Sequence, residues 1–174
     1  MKSSTWAARY CWPLRWSHWA FGSSLEVDVP IIAAGGISDG RTMAAAFALG
    51  AEGVQMGTRM VSSAESPVHM NWKKAILAAA ETDTVFLNQF SKPALRALRT
   101  QKTSRLEREP GPNMMSEFGH AKDLYFGGDM EASIALSGQV CGRIDAIKPV
   151  AQIIRETVDD FFKTVQSLST SYLR

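Results

Sequence analysis

The sequence predicts an α/β fold: part of a TIM (β/α)8 barrel, its C-terminal strands and helices, followed by a helical C-terminal region. Three observations predict it. Val29-Pro30-Ile31-Ile32-Ala33-Ala34 reads as a buried strand that stops at Gly35-Gly36. Asp39 to Leu49 reads as an Ala-rich helix, and Glu52-Gly53-Val54-Gln55-Met56 as a second strand ending at Gly57-Thr58. Consecutive parallel strands deliver small residues and free backbone N–H groups to the same end of a sheet. Barrels grip a phosphate there, between the loops after their last two strands. The pair of turns therefore points to a phosphate-bearing, nucleotide-type cofactor.

The elements follow in order. Residues 1–26 show neither a helical nor a strand period, and carry Trp6, Trp12, Trp16 and Trp19 with no acidic residue before Glu26. This stretch reads as atypical, foreign to the rest of the chain; its basic, acid-poor composition also fits a transit peptide. Residues 27–90 hold the strand–helix–strand unit, with Asp39 placed to cap the helix and Gly50 to close it. Ser66-Pro67 predicts the start of another helix, running through Trp72, Ile76 and Leu77 to Ala80. Thr84–Leu87 is a short strand. Residues 91–174 are expected to be mostly helical, with helices at Pro93–Lys102, Met130–Val140 and Pro149–Leu168. The breaker cluster Glu109-Pro110-Gly111-Pro112-Asn113 makes 103–120 loop-rich, and Gly127-Gly128-Asp129 is a turn. The last helix is amphipathic, with Val150, Ile153, Ile154, Val158, Phe161, Phe162 and Val165 on one side.

Composition narrows the classes of function. A chain of 174 residues is short for a closed barrel, which needs about 250. A net charge of +2 gives no reason to expect nucleic acid or a membrane surface as partner, and no run of 18 apolar residues spans a bilayer. Cys11 and Cys141 form no metal spacing, so a reduced, cytoplasmic setting and no metal are expected.

Gly35 and Gly36 are the first half of the expected anion site, since a Cβ would resist positive φ and close approach. Gln55, Met56, Gly57 and Thr58 are the second half, through backbone N–H groups and a hydroxyl. His18, His69 and His120 lack a recognisable catalytic context and read as surface residues. Arg96, Arg99, Lys102, Arg105 and Arg108 recur every third residue. They read as a solvated basic face or, more sharply, as a docking stripe for an acidic carrier. Met114, Met115 and Phe118 fit a flexible apolar cover or the core equally well.

Residues 29–61, VPIIAAGGISDGRTMAAAFALGAEGVQMGTRMV, resemble the flavin-phosphate segment of the nitronate monooxygenase (2-nitropropane dioxygenase) family. That family shares its fold with the flavin-dependent enoyl-acyl-carrier-protein reductases. Ser91-Lys92-Pro93-Ala94, Arg96-Ala97-Leu98, Gly127-Gly128-Asp129-Met130-Glu131 and Ser137-Gly138-Gln139-Val140-Cys141-Gly142 resemble later segments of it, so the likeness covers about 27–165. It implies FMN as cofactor, with Gly35, Gly36, Gln55, Met56, Gly57 and Thr58 at its phosphate end. It implies oxidation of alkyl nitronates with O2, in a truncated chain that need not retain the activity. The catalytic base is expected in a first barrel half that residues 1–26 do not resemble, so no catalytic residue is assigned. The expected partner is a small-molecule substrate, and a homo-oligomer is left open. An acyl carrier protein enters only if the chain is instead an enoyl reductase, and a silent phosphate- or partner-binding fragment is the third reading.

Overall fold

The computed structural model describes residues 30–89, 93–109 and 114–173. The expectations for residues 1–26, His18 and Cys11, and the side chains of Met114 and Met115, lie outside the described part. The described residues form two compact units. One comprises those up to Met56 with those from Glu156 onward, the other Gly57–Arg155.

In the first unit, β1 (Ile32–Ala34) and β2 (Gly53–Gln55) are parallel neighbours, joined by α1 (Gly40–Ala48). This is the expected strand–helix–strand unit, trimmed at its edges. The start of α1 is fixed by a reciprocal cap. Thr42 N–H donates to Asp39 Oδ1 at 2.8 Å, and Thr42 Oγ1 accepts from Asp39 N–H at 3.2 Å. Gly50 follows the helix at φ 90, as a terminating glycine should. Ala33, Ile37, Ala46 and Ala51 form the core, covered by Met43, Val54 and Met56. The first turn of α1 lies directly on the backbone of the terminal helix α5 (Val150–Tyr172): a Cβ on Gly40 would collide with Thr157, Asp160 and Phe161 main-chain atoms. Beside this contact, the Phe47 and Phe161 rings meet edge to face at 5.1 Å.

The second unit contains α2 (Thr58–Val61), α3 (Met70–Ala78), the antiparallel pair β3 (Thr84–Leu87) and β4 (Leu95–Leu98), and α4 (Gln101–Arg108). Irregular turns follow: 3-10 segments at Met114–Phe118 and Gln139–Arg143, and a π-helical turn at Asp123–Gly127. Trp72, Ile76, Leu98, Leu124, Ala135 and Cys141 centre one core; Val85, Leu87, Ala97, Leu106 and Ile134 form another.

Four expectations are corrected here. Pro93–Lys102 is not a helix, because Leu95–Leu98 pairs with β3 and the cross-strand partner Phe86 receives the Arg96 guanidinium 5.5 Å from its ring centre. Residues 103–120 are not uniformly loop, because α4 runs from Gln101 to Arg108. Its cap is Thr100, which accepts from Thr103 N–H at 3.2 Å. Met130–Val140 is not a helix either. Leu98 N–H donates to Ala135 C=O at 2.9 Å and Ser137 N–H to Arg96 C=O at 3.1 Å, so this segment lies along β4 and its backbone groups are taken. Finally, α3 opens at Met70 rather than at Ser66-Pro67. The preceding chain is tied sideways, Ala64 N–H to Lys148 C=O and His69 N–H to Tyr125 C=O, and His69 Nδ1 caps the helix by accepting from Asn71 N–H at 3.1 Å.

Close main-chain contacts also govern Gly142, where a Cβ would strike Ala80 and Glu81 in the turn after α3. Gly40→Ala is expected to lower stability by about 2–3 kcal/mol, as overpacking against backbone does. Thermal unfolding compared with Gly57→Ala, which meets nothing within 4 Å, measures it.

Candidate functional site

Ala34 and Gln55 are lateral partners, so the chain leaves β1 and β2 at the same end of their sheet. Gly35 (φ 93) and Gly36 (φ 76) then turn it through the left-handed region, where a side chain would be strained. Both are exposed, yet they are held between buried Ala33 and buried Ile37. The exposed backbone of this turn is therefore set by core packing on each side. Gln55 presents an exposed side chain at the end of β2. Met56 is half-buried against the Ala33–Ile37–Ala46–Ala51 core, so it offers a ligand its main chain rather than its thioether.

Gly57 and Thr58 begin the second unit. Gly57 has φ −91, which any residue adopts, and a Cβ there would meet no atom of the described residues within 4 Å. Neither its backbone nor a neighbour among the described residues calls for glycine. Thr58 Oγ1 accepts from Gly138 N–H at 2.9 Å. A hydroxyl that accepts keeps its proton to donate, so Thr58 is oriented and still has a donor for an anion. Gly138 is the residue that sequence reasoning missed. Its only signal was its place in the Ser137–Gly142 segment, and nothing local showed that its N–H would reach Thr58. Arg59 is buried: its Nη1 donates to Ser62 Oγ at 3.1 Å and to Ala146 C=O at 2.8 Å. It anchors α2 from within.

Of the basic residues, Arg99, Arg105 and Arg108 are exposed, as a solvated face requires, whereas Arg96 and Lys102 are half-buried. Arg96 lies over Phe86 and donates to Thr84 Oγ1 at 3.0 Å; Arg99 pairs with Glu107 at 2.9 Å. Lys102 Nζ donates to the carbonyls of Glu117 at 3.0 Å and Ala132 at 3.1 Å, while the Gln101 and Lys102 N–H groups donate to the Glu131 carboxylate at 3.0 and 2.7 Å. These charges tie segments of the second unit together. His69 is half-buried and is a helix cap, not an exposed bystander, whereas His120 is exposed beside Asp123 at 3.4 Å. Cys141 is fully buried, and burial pushes its thiol above the ordinary value of 9.0, which is inert rather than nucleophilic.

A model of the nitronate monooxygenase family matches residues 24–160. A Staphylococcus saprophyticus protein named "Probable nitronate monooxygenase" is 50% identical over 70 residues, 40% of this chain and 20% of the relative. The structure of FabK from Thermotoga maritima is similar with a TM-score of 0.77 and 44% identity, covering 83% of this chain and 48% of that one. A nitroalkane oxidase from Streptomyces ansochromogenes gives a TM-score of 0.68 at 22% identity over 82% of this chain and 42% of its own, a likeness of fold alone. The chain spans less than half the length of these relatives.

The buried thiol makes stability pH-dependent in a defined direction. A folded-state pKa raised above the unfolded one stabilises the protonated, native form below the unfolded pKa, and that contribution is lost as pH rises beyond it. Relative to Cys141→Ala, the natural chain is expected to lose up to about 1.4 kcal/mol per pH unit above pH 9. Urea unfolding of both proteins from pH 8 to 10 reads the difference.

Proposed function

Because the chain belongs to the nitronate monooxygenase family, we propose that it is part of an FMN-dependent oxidoreductase that oxidises alkyl nitronates with O2. In this reading β1, α1 and β2 are C-terminal units of a (β/α)8 barrel, and Gly35, Gly36, Gln55, Met56, Gly57 and Thr58 hold the phosphate end of FMN. The observation that supports it most is the space at Gly57, a glycine that neither its φ nor any neighbouring atom among the described residues explains. FMN, when bound, supplies the redox chemistry. The residues of this chain bind and orient. The exposed Gly35-Gly36 turn offers backbone dipoles, and Thr58, steadied by Gly138, offers a hydroxyl proton. No residue here is given the role of catalytic base.

A second reading, a flavin-dependent enoyl reductase, is favoured by the 44% identity to FabK over most of the chain. The arginine and lysine row gives it no help, since Arg96, Arg99 and Lys102 are engaged within the second unit. Oxygen uptake with an alkyl nitronate against NAD(P)H oxidation with an enoyl thioester separates the two readings on a full-length relative.

Binding is tested on the chain itself by quenching of FMN fluorescence. Saturable binding is expected. Gly57→Val should weaken it by at least about tenfold, filling the space beside the phosphate, while changing stability by less than about 0.5 kcal/mol. A chain that ignores FMN would favour the silent fragment.

A further inference from the structure

Among the described residues two charged side chains are buried, Arg59 and Lys73, 6% and 4% exposed, and both are cations. They bracket one short element. Arg59 lies on α2, and Lys73 reaches from α3 to the far end of it, where its Nζ donates to Ala64 C=O at 3.1 Å. Ala64 is held there in turn, its N–H donating to Lys148 C=O at 2.9 Å. No carboxylate of the described residues stands within ion-pair distance of Lys73.

An ammonium taken out of water is costly unless it is paired or fully hydrogen-bonded. One neutral carbonyl does little to offset that cost, and an uncharged donor such as a glutamine amide would serve the carbonyl as well. The fold therefore explains a donor at position 73 but not a charge. A charge acts beyond contact, because the protein interior screens it far less than water does. The helical turns of α2 continue past Val61, with Ser62 N–H on Thr58 C=O and Ser63 N–H on Met60 C=O, both at 3.1 Å. At a rise of about 1.5–2 Å per residue, six residues set Ala64 about 9–12 Å from Thr58. Gly57 and Thr58, given above to the phosphate of FMN, begin α2 at its opposite end. A cation at the carboxyl end of α2 also offsets the negative pole of its dipole and leaves the positive pole at Gly57. We propose that Lys73 is a positioning residue for the phosphate group of FMN, drawing the dianion onto Gly57 and Thr58 by its charge, without touching it. This rests on the FMN reading and adds to it the charge that favours a dianion.

Quenching of FMN fluorescence by the full chain tests it with two substitutions. Lys73→Gln keeps a donor for Ala64 and removes the charge; Lys73→Arg keeps the charge. A phosphate monoester is largely dianionic at about pH 7.5 and monoanionic at about pH 5. Lys73→Gln is expected to weaken FMN binding about tenfold at the higher pH and about threefold at the lower, as half the ligand charge implies. Lys73→Arg should stay within about twofold of the natural chain. Glu65, beside Ala64, and His69, one turn before Lys73, are common to all three chains and cancel in the ratios. The phosphorus resonance of FMN bound to the natural chain should likewise titrate below that of free FMN, a reading that needs no variant to fold. A loss equal at both pH values, or a bound phosphate that titrates as free FMN does, makes Lys73 a strut for Ala64 and overturns the proposal. So does binding that Gly57→Val weakens and Lys73→Gln leaves unchanged, and there the FMN reading stands. A natural chain that binds no FMN removes both.

Discussion

Three backbone pairs, Ile32 with Gly53, Ala33 with Val54 and Ala34 with Gln55, hold β1 beside β2 in parallel. A parallel pair cannot be closed by a tight hairpin; it needs a crossover, and here the crossover is α1. The register of those pairs decides where both following turns begin. A slip of one residue would carry Ala33 out of the core and turn Gln55 inward. The cap between Asp39 and Thr42 and the seat of Gly40 on α5 fix the crossover at its first turn. Local chemistry and packing thus agree on one arrangement.

That agreement explains why this stretch could be read from sequence. Asp39, Gly50 and the Gly35-Gly36 turn carry their conformational instructions in their own side chains, or in the lack of one. Thr84–Leu87 and the long terminal helix were legible for the same reason, through β-branched content and a sustained helical period. The misread segments obey partners that lie far along the chain. Leu95–Leu98 has helix-forming residues but is claimed by β3, and Leu136 then bridges to Ala97. His69, whose own N–H is bonded to Tyr125 C=O, caps the helix at a point that its local sequence does not mark. No window of a dozen residues contains that information.

At the candidate site the legible part was the residue types and the hidden part was their support. Gly35, Gly36 and Gly57 announced themselves. That Met56 would turn its side chain into the core, and that Thr58 would be steadied by Gly138 eighty residues away, followed only from the folded contacts. Membership of the nitronate monooxygenase family supplies the chemical context for these groups. The basic row is divided by the fold: Arg96 and Lys102 are half-buried and tie segments together, whereas Arg99, Arg105 and Arg108 stay exposed.

The packing of Gly142 against Ala80 and Glu81 bears on how this chain can diverge. Surface turns between a helix and a strand are ordinarily where related proteins gain and lose residues most freely. Here the turn is wedged against another main chain, and its length is fixed by Asp83, whose N–H and carboxylate both bond back to Ala80. Insertions at this place would push the two backbones apart, so variation in length is confined to other loops.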